Sequence, residues 1–119
     1  MDVSAYVRSA PAAGRRRIAI ALHNLREVHL RSDQFPPACE AAEQLVELLR
    51  HTRPADDPEY FCARDSLAGL LIKVKRYHDA RPHLEEAHAY WSQRQPPPPL
   101  ELAWVVNNRG ELEREAGEQ

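Results

Sequence analysis

The chain has 119 residues, enough for one domain with a modest core. Its 16 Lys and Arg against 18 Asp and Glu give a formal charge of −2, with Arg and Glu interleaved rather than blocked. That balance excludes the basic footprint of a nucleic-acid binder and the polybasic patch of a membrane-surface protein, so neither nucleic acid nor membrane is an expected partner.

The N-terminal stretch MDVSAYVRSAP lacks the charged start and apolar run of a signal peptide, and no stretch approaches the length of a membrane span. Cys39 and Cys62 each fall inside an apolar-periodic segment, with no C-x-x-C spacing, which reads as buried free thiols in a reducing compartment. A cytoplasmic protein is expected. Val3, Tyr6 and Val7 sit 42 residues before Leu45, Leu48 and Leu49, so residues 1–14 are predicted to form a short helix or partial repeat.

In chain order, four strong periodic segments follow. RRRIAIALHNLREVHLRS places Ile18, Leu22, Leu25 and Val28 on one helical face, and ACEAAEQLVELLRH does the same with Ala38, Ala42, Leu45, Leu48 and Leu49. EYFCARDSLAGLLIKV carries Phe61, Leu67, Leu70, Leu71 and Val74, and DARPHLEEAHAYW carries Ala80, Leu84, Ala87 and Trp91. No alternating strand pattern competes, and the chain is predicted to be all-α. Pro36 and Pro37 suit a first helical turn, Asp57-Pro58 reads as an N-cap and first helical residue, and TRPADDP and RQPPPP are connectors. The prolines at 96–99 read as a stiff spacer.

A constant offset organises these segments. Ala21 falls on Ala63, Leu25 on Leu67, Phe35 on Tyr77, Ala38 on Ala80 and Leu45 on Ala87, each pair 42 residues apart. His23-Asn24 meets Asp65-Ser66 and then Asn107-Asn108 at the same interval. An offset held across two helices is the signature of a repeat array.

With LHNL, VNNRG and KRYHDARPHLEEA, the pattern resembles the tetratricopeptide repeat of the kinesin-light-chain type over about residues 15 to 119. The resemblance implies a right-handed α-α superhelix of about two and a half repeats: repeat 1 over 15–56, repeat 2 over 57–98, and at 99–119 the first helix of repeat 3 as a C-terminal cap. Phe35 with Ala38 and Tyr77 with Ala80 match the aromatic and small residues that set the helix crossing in that family, and Pro82 matches a proline often found after that alanine. Asp33 and Lys75 stand where the family usually has a turn glycine, which Gly117 does supply. Arg26 and Arg109 occupy positions usually apolar, so they must snorkel outward or lie at an end of the array. GELEREAGEQ reads as a solvated cap.

The residues that invite chemistry resolve differently. His78, His83 and His88 are five apart, so at about 100° per residue successive rings point roughly 140° apart and cannot converge on a metal from one helix. They read as repeat surface, and no metal or cofactor is expected. No G-x-S-x-G, H-E-x-x-H, phosphate loop or G-x-G-x-x-G occurs, and Ser66 with Asp65 or Cys62 with His29 makes no convincing nucleophile pair, so no enzymatic activity is expected.

The resemblance implies instead a concave groove lined by the first helix of each pair, the feature of a scaffold or adaptor. Its ligand-contacting positions map onto His23, Glu27 and Arg31, then Asp65, Gly69 and Lys73, then Asn107, Glu111 and Arg114. Asn24 and Asn108 adjoin that face with amides able to bind an extended main chain, and Ile20, Cys62, Ile72 and Trp104 supply apolar patches. The expected partner is a peptide or another protein's helix, with neither charge sign favoured. Self-assembly as a homodimer through open ends, or service as the sensing part of a regulator, are the alternatives.

Overall fold

A computed structural model describes Arg17, Ile20, Ala21, His23, Asn24, Glu27 and Arg31, residues 34–52 and residues 56–117. The chain divides into two units, Met1–Ala63 and Arg64–Gln119. Among the described residues there are four continuous helices and no strand: α1 (Phe35–Thr52), α2 (Pro58–Lys73), α3 (Tyr77–Ser92) and α4 (Pro99–Gly117). The division falls within α2.

In the first unit, Arg17, Ile20, Ala21, His23, Asn24, Glu27 and Arg31 are helical; the predicted apolar face Ile18, Leu22, Leu25 and Val28, position Arg26 and the segment 1–14 lie outside the described residues. Helix α1 begins with its two prolines in the first turn, where missing amide donors cost nothing, and ends on Arg50 and His51 beside the negative end of its dipole. The expected three- and four-residue spacing buries Ala38, Ala42, Leu45, Leu48 and Leu49, with Cys39 and Ala41 beside them. Tyr60 and Ala63 pack on Leu45, Leu48 and Leu49. Each fully buried leucine of that cluster is worth about 1.5–3 kcal/mol of transfer free energy.

Asp57 caps α2: its carboxylate accepts from the Tyr60 amide at 3.1 Å, satisfying one of the orphan donors of the first turn. The other end of α2 closes by the crossed pattern of a left-handed stop. The Arg76 amide donates to the Leu71 carbonyl at 2.8 Å and the Lys75 amide to the Ile72 carbonyl at 3.0 Å, with Lys75 at φ 66°. A glycine would take that φ without the Cβ crowding a lysine suffers.

In the second unit, α2 contributes buried Leu67, Ala68, Leu70, Leu71 and Ile72, and α3 contributes Ala80, Leu84, Ala87 and Trp91. Helices α3 and α4 pack together. Arg81 on α3 also donates to Glu113 on α4 at 2.6 Å. Ala38 and Ala80, the small members of the aromatic–alanine pairs, are both fully buried.

Pro99, the last proline of the 96–99 run and the first residue of the expected 99–119 helix, opens α4, and the Leu102 amide donates to the Pro98 carbonyl at 3.1 Å. Proline's fixed φ and absent donor suit a first helical position as well as a linker. The polar tail is likewise helical through Gly117 and buries Leu112, so it is half solvated and half packed.

Candidate partner-binding face

Nothing in the described part of the first unit gathers the candidate residues into a pocket: His23, Asn24 and Arg31 are exposed and Glu27 is half-buried, all four helical. Their spacing at 23, 27 and 31 keeps them on one helical stripe.

The second unit brings the remaining candidates together in two groups. The first is a polar clip between α2 and α4. Asn108 Nδ2 donates to Asp65 Oδ1 at 2.9 Å, and Gly69 lies beside the pair, where a Cβ would meet the Asn108 side chain at an ordinary contact distance of 3.7 Å. Asp65 is 7% exposed, and burial pushes its carboxyl above the usual carboxylate range, an effect the bond from Asn108 opposes. Asp65 and Asn108 therefore hold each other, and neither offers its whole side chain to a ligand.

The second group lines a cleft of about 100 Å³ formed by Ile72, Lys73, Lys75, Tyr77, Glu111 and Glu115. Lys73 comes from the end of α2 and Glu111 from α4, two positions the resemblance had placed on one groove. Glu111 is half-buried and bonded to Arg114, which neutralises it, while the ammonium groups of Lys73 and Lys75 reach no acid among the described residues. Asn107 is exposed on the same helix, and Trp104 is 49% exposed one turn earlier. Leu100, Trp104, Asn107 and Glu111 follow the three- and four-residue spacing that makes one stripe.

Of the expected apolar patches, Ile20 and Trp104 are exposed and Cys62 is half-buried, but Ile72 is only 4% exposed. It falls among Leu70 and Leu71 on the buried side of α2 and touches the cleft at its floor.

The histidine cluster also needs correction. His78 is exposed, but His83 is half-buried and accepts at Nδ1 from the Nε of Arg64, 3.0 Å away, while Arg64 also donates to Glu86 at 2.5 Å. Arg64 is 7% exposed, and its guanidinium holds the Glu86 carboxyl below the usual range, against a smaller opposing effect of burial. The signal available in the sequence was Arg64 itself, a charged residue inside the apolar run of α2 that required partners if buried.

Among the described residues no cluster of three or more His, Cys, Asp or Glu has the geometry to hold a metal ion, and no helix is long and apolar enough to cross a membrane. Comparison of the chain with protein-family models, with curated proteins and with solved structures gives no match.

Proposed function

We propose that this chain is a tetratricopeptide-like helical-repeat module of the kinesin-light-chain type, without enzymatic activity, that binds a peptide or a helix of another protein along the faces of its first helices. The observation carrying this reading is that Lys73 and Glu111, one from each of two helices 42 residues apart in register, line a single cleft. The Asp65–Asn108 clip supports it by holding those helices side by side. Around the cleft, Lys73, Asn107 and Trp104 are exposed and supply a cation, an amide and an aromatic surface, a set suited to a main chain with mixed side chains.

The test is peptide display against the immobilised chain, followed by measurement of the selected sequences on a variant with Lys73→Ala, Asn107→Ala and Trp104→Ala. Asn108 is left intact because its loss would disturb the clip. Peptides that bind the wild type and lose at least tenfold in affinity on the variant support the groove; selected peptides that bind both equally sink it.

Self-association is the second reading, favoured by Leu100 at 56% and Trp104 at 49% exposure one turn apart on α4. Light scattering over a hundredfold concentration range separates the two, since a constant monomer mass disposes of the homodimer.

A further inference from the structure

Two acceptor oxygens at the contact between α2 and α4 have no donor. Asp65 is 7% exposed, and its carboxylate receives Asn108 Nδ2 at Oδ1, 2.9 Å away, with the Asp65 main-chain carbonyl 3.4 Å from the same nitrogen. Among the described residues nothing donates to the other carboxylate oxygen, Oδ2, or to the amide oxygen of the half-buried Asn108, Oδ1. Both ends of that amide, Nδ2 and Oδ1, lie 3.7 Å from the position of a Cβ on Gly69, so α2 meets the amide from its side and neither end is turned away.

One proton serves both oxygens. An ionised carboxylate only accepts, so it meets the amide through Nδ2 alone. A neutral acid has an O–H as well, and an acid and a carboxamide are complementary at both ends, each donating to the other's carbonyl oxygen. The missing donor for Asn108 Oδ1 is therefore the proton that Oδ2 would carry, taken up from solvent with no other bond made or broken.

No neighbouring charge fixes Asp65 in either form. On α2, Arg64 is held by His83 and Glu86 of α3, and Lys73 lies two turns further on at the cleft. On α4, Arg109 is exposed and Glu111 is bonded to Arg114. What acts on the carboxyl is burial, which favours the neutral acid, and the Asn108 amide, which favours the anion.

We propose that Asp65 and Asn108 form a proton-carrying latch between α2 and α4: Asn108 Nδ2 holds the anion, and the neutral acid returns a hydrogen bond to Asn108 Oδ1, so the latch stays closed while Asp65 changes charge. The helices that line the Lys73–Glu111 cleft keep their spacing through the titration. What changes is Asn108 Oδ1, open beside the anion and taken beside the acid.

The test follows the side-chain carbon and amide resonances of the full chain from pH 7 to pH 3. Asp65 Cγ reports the proton and Asn108 Cγ reports its oxygen. The two are expected to move with one midpoint, Asn108 Cγ downfield as its oxygen gains a donor, while the Nδ2 protons keep shifts distinct from those of a free carboxamide. Asp65→Asn supplies a permanent donor, so its Asn108 Cγ should stand at the acid limit at every pH. An Asn108 Cγ that ignores the Asp65 midpoint overturns the proposal, and so do Nδ2 protons that reach free-carboxamide shifts in acid. A double-mutant cycle of Asp65→Ala and Asn108→Ala, read as non-additive urea midpoints, should show coupling both at pH 7 and below the Asp65 midpoint; coupling lost in acid also overturns it. No ligand enters these measurements, so their outcome is independent of the groove reading.

Discussion

Asn108 on α4 spends its amide on the carboxylate of Asp65 on α2, 2.9 Å away. The pair costs and stabilises at once. Burial disfavours the Asp65 anion, and the amide partly compensates it. Removing the amide with Asn108→Ala leaves that anion buried without its donor, and a loss of about 1–3 kcal/mol in urea unfolding is expected at neutral pH.

The same pair predicts a pH slope. Because the Asp65 carboxyl titrates above its ordinary value of 3.8 when folded, the native state holds its proton to higher pH than the unfolded chain. Its contribution to stability is therefore greatest below 3.8 and falls as pH rises through the raised value, levelling off above it. Asp65→Asn keeps an oxygen facing Asn108 and removes the titration. The difference in stability between this variant and wild type should shift in the variant's favour from pH 3 toward neutrality; a difference independent of pH would contradict the burial of the anion.

Ala80 is fully buried on α3, at the position that the family resemblance implies for the helix crossing. Ala80→Arg forces a long charged side chain into that site and should cost more than about 3 kcal/mol, enough to unfold a chain of this size. Circular dichroism would report it as lost helix signal at room temperature. Unchanged melting would mean that Ala80 does not sit at a packed crossing.

Much of the helical layout could be read from spacing because burial selects one face of each helix: Leu45, Leu48 and Leu49 on α1 and Leu84, Ala87 and Trp91 on α3 are buried as their intervals predict. Asp57 as a cap was equally legible, since its chemistry is local. The polar pairings were not. Whether Asp65 faces solvent or Asn108 depends on two helices meeting 43 residues apart, and a carboxylate has no periodicity of its own to reveal that. His83 looked like surface for the same reason, because its partner Arg64 lies 19 residues away on another helix. The candidate site is only half readable: Lys73 and Glu111 line one cleft, while the cleft's other cation, Lys75, comes from a turn whose left-handed backbone spacing alone does not reveal.

Arg64 gives a second test of buried polarity. Its side chain is 9% exposed and held by His83 and Glu86, whereas the Glu86 side chain is 60% exposed. Arg64→Ala removes packing as well as charge and should cost about 1–3 kcal/mol. Glu86→Gln should cost less than about 1 kcal/mol, because water screens the exposed end of the pair. The Glu86 carboxyl titrates below its ordinary 4.5, so its contribution is present above that value and is lost as pH falls through the lowered one. The gap between wild type and Glu86→Gln should accordingly close in acid, in a urea series run from pH 6 to pH 3.

Lys75 offers the clearest route to a more stable chain. At φ 66° it carries a Cβ in the left-handed region, where an L-residue is crowded against its own backbone by about 1–2 kcal/mol. Lys75→Gly relieves that crowding and returns part of the gain as greater freedom of the unfolded chain, about 0.5–1 kcal/mol. A net stabilisation of up to about 1 kcal/mol is expected, seen as a higher Tm with helix content unchanged. The same substitution removes one of the two lysines from the cleft, so any peptide that uses that cation should bind the variant more weakly even as the fold becomes harder to melt. A lower Tm would mean that the Lys75 side chain contributes more to the turn than its backbone strain takes away.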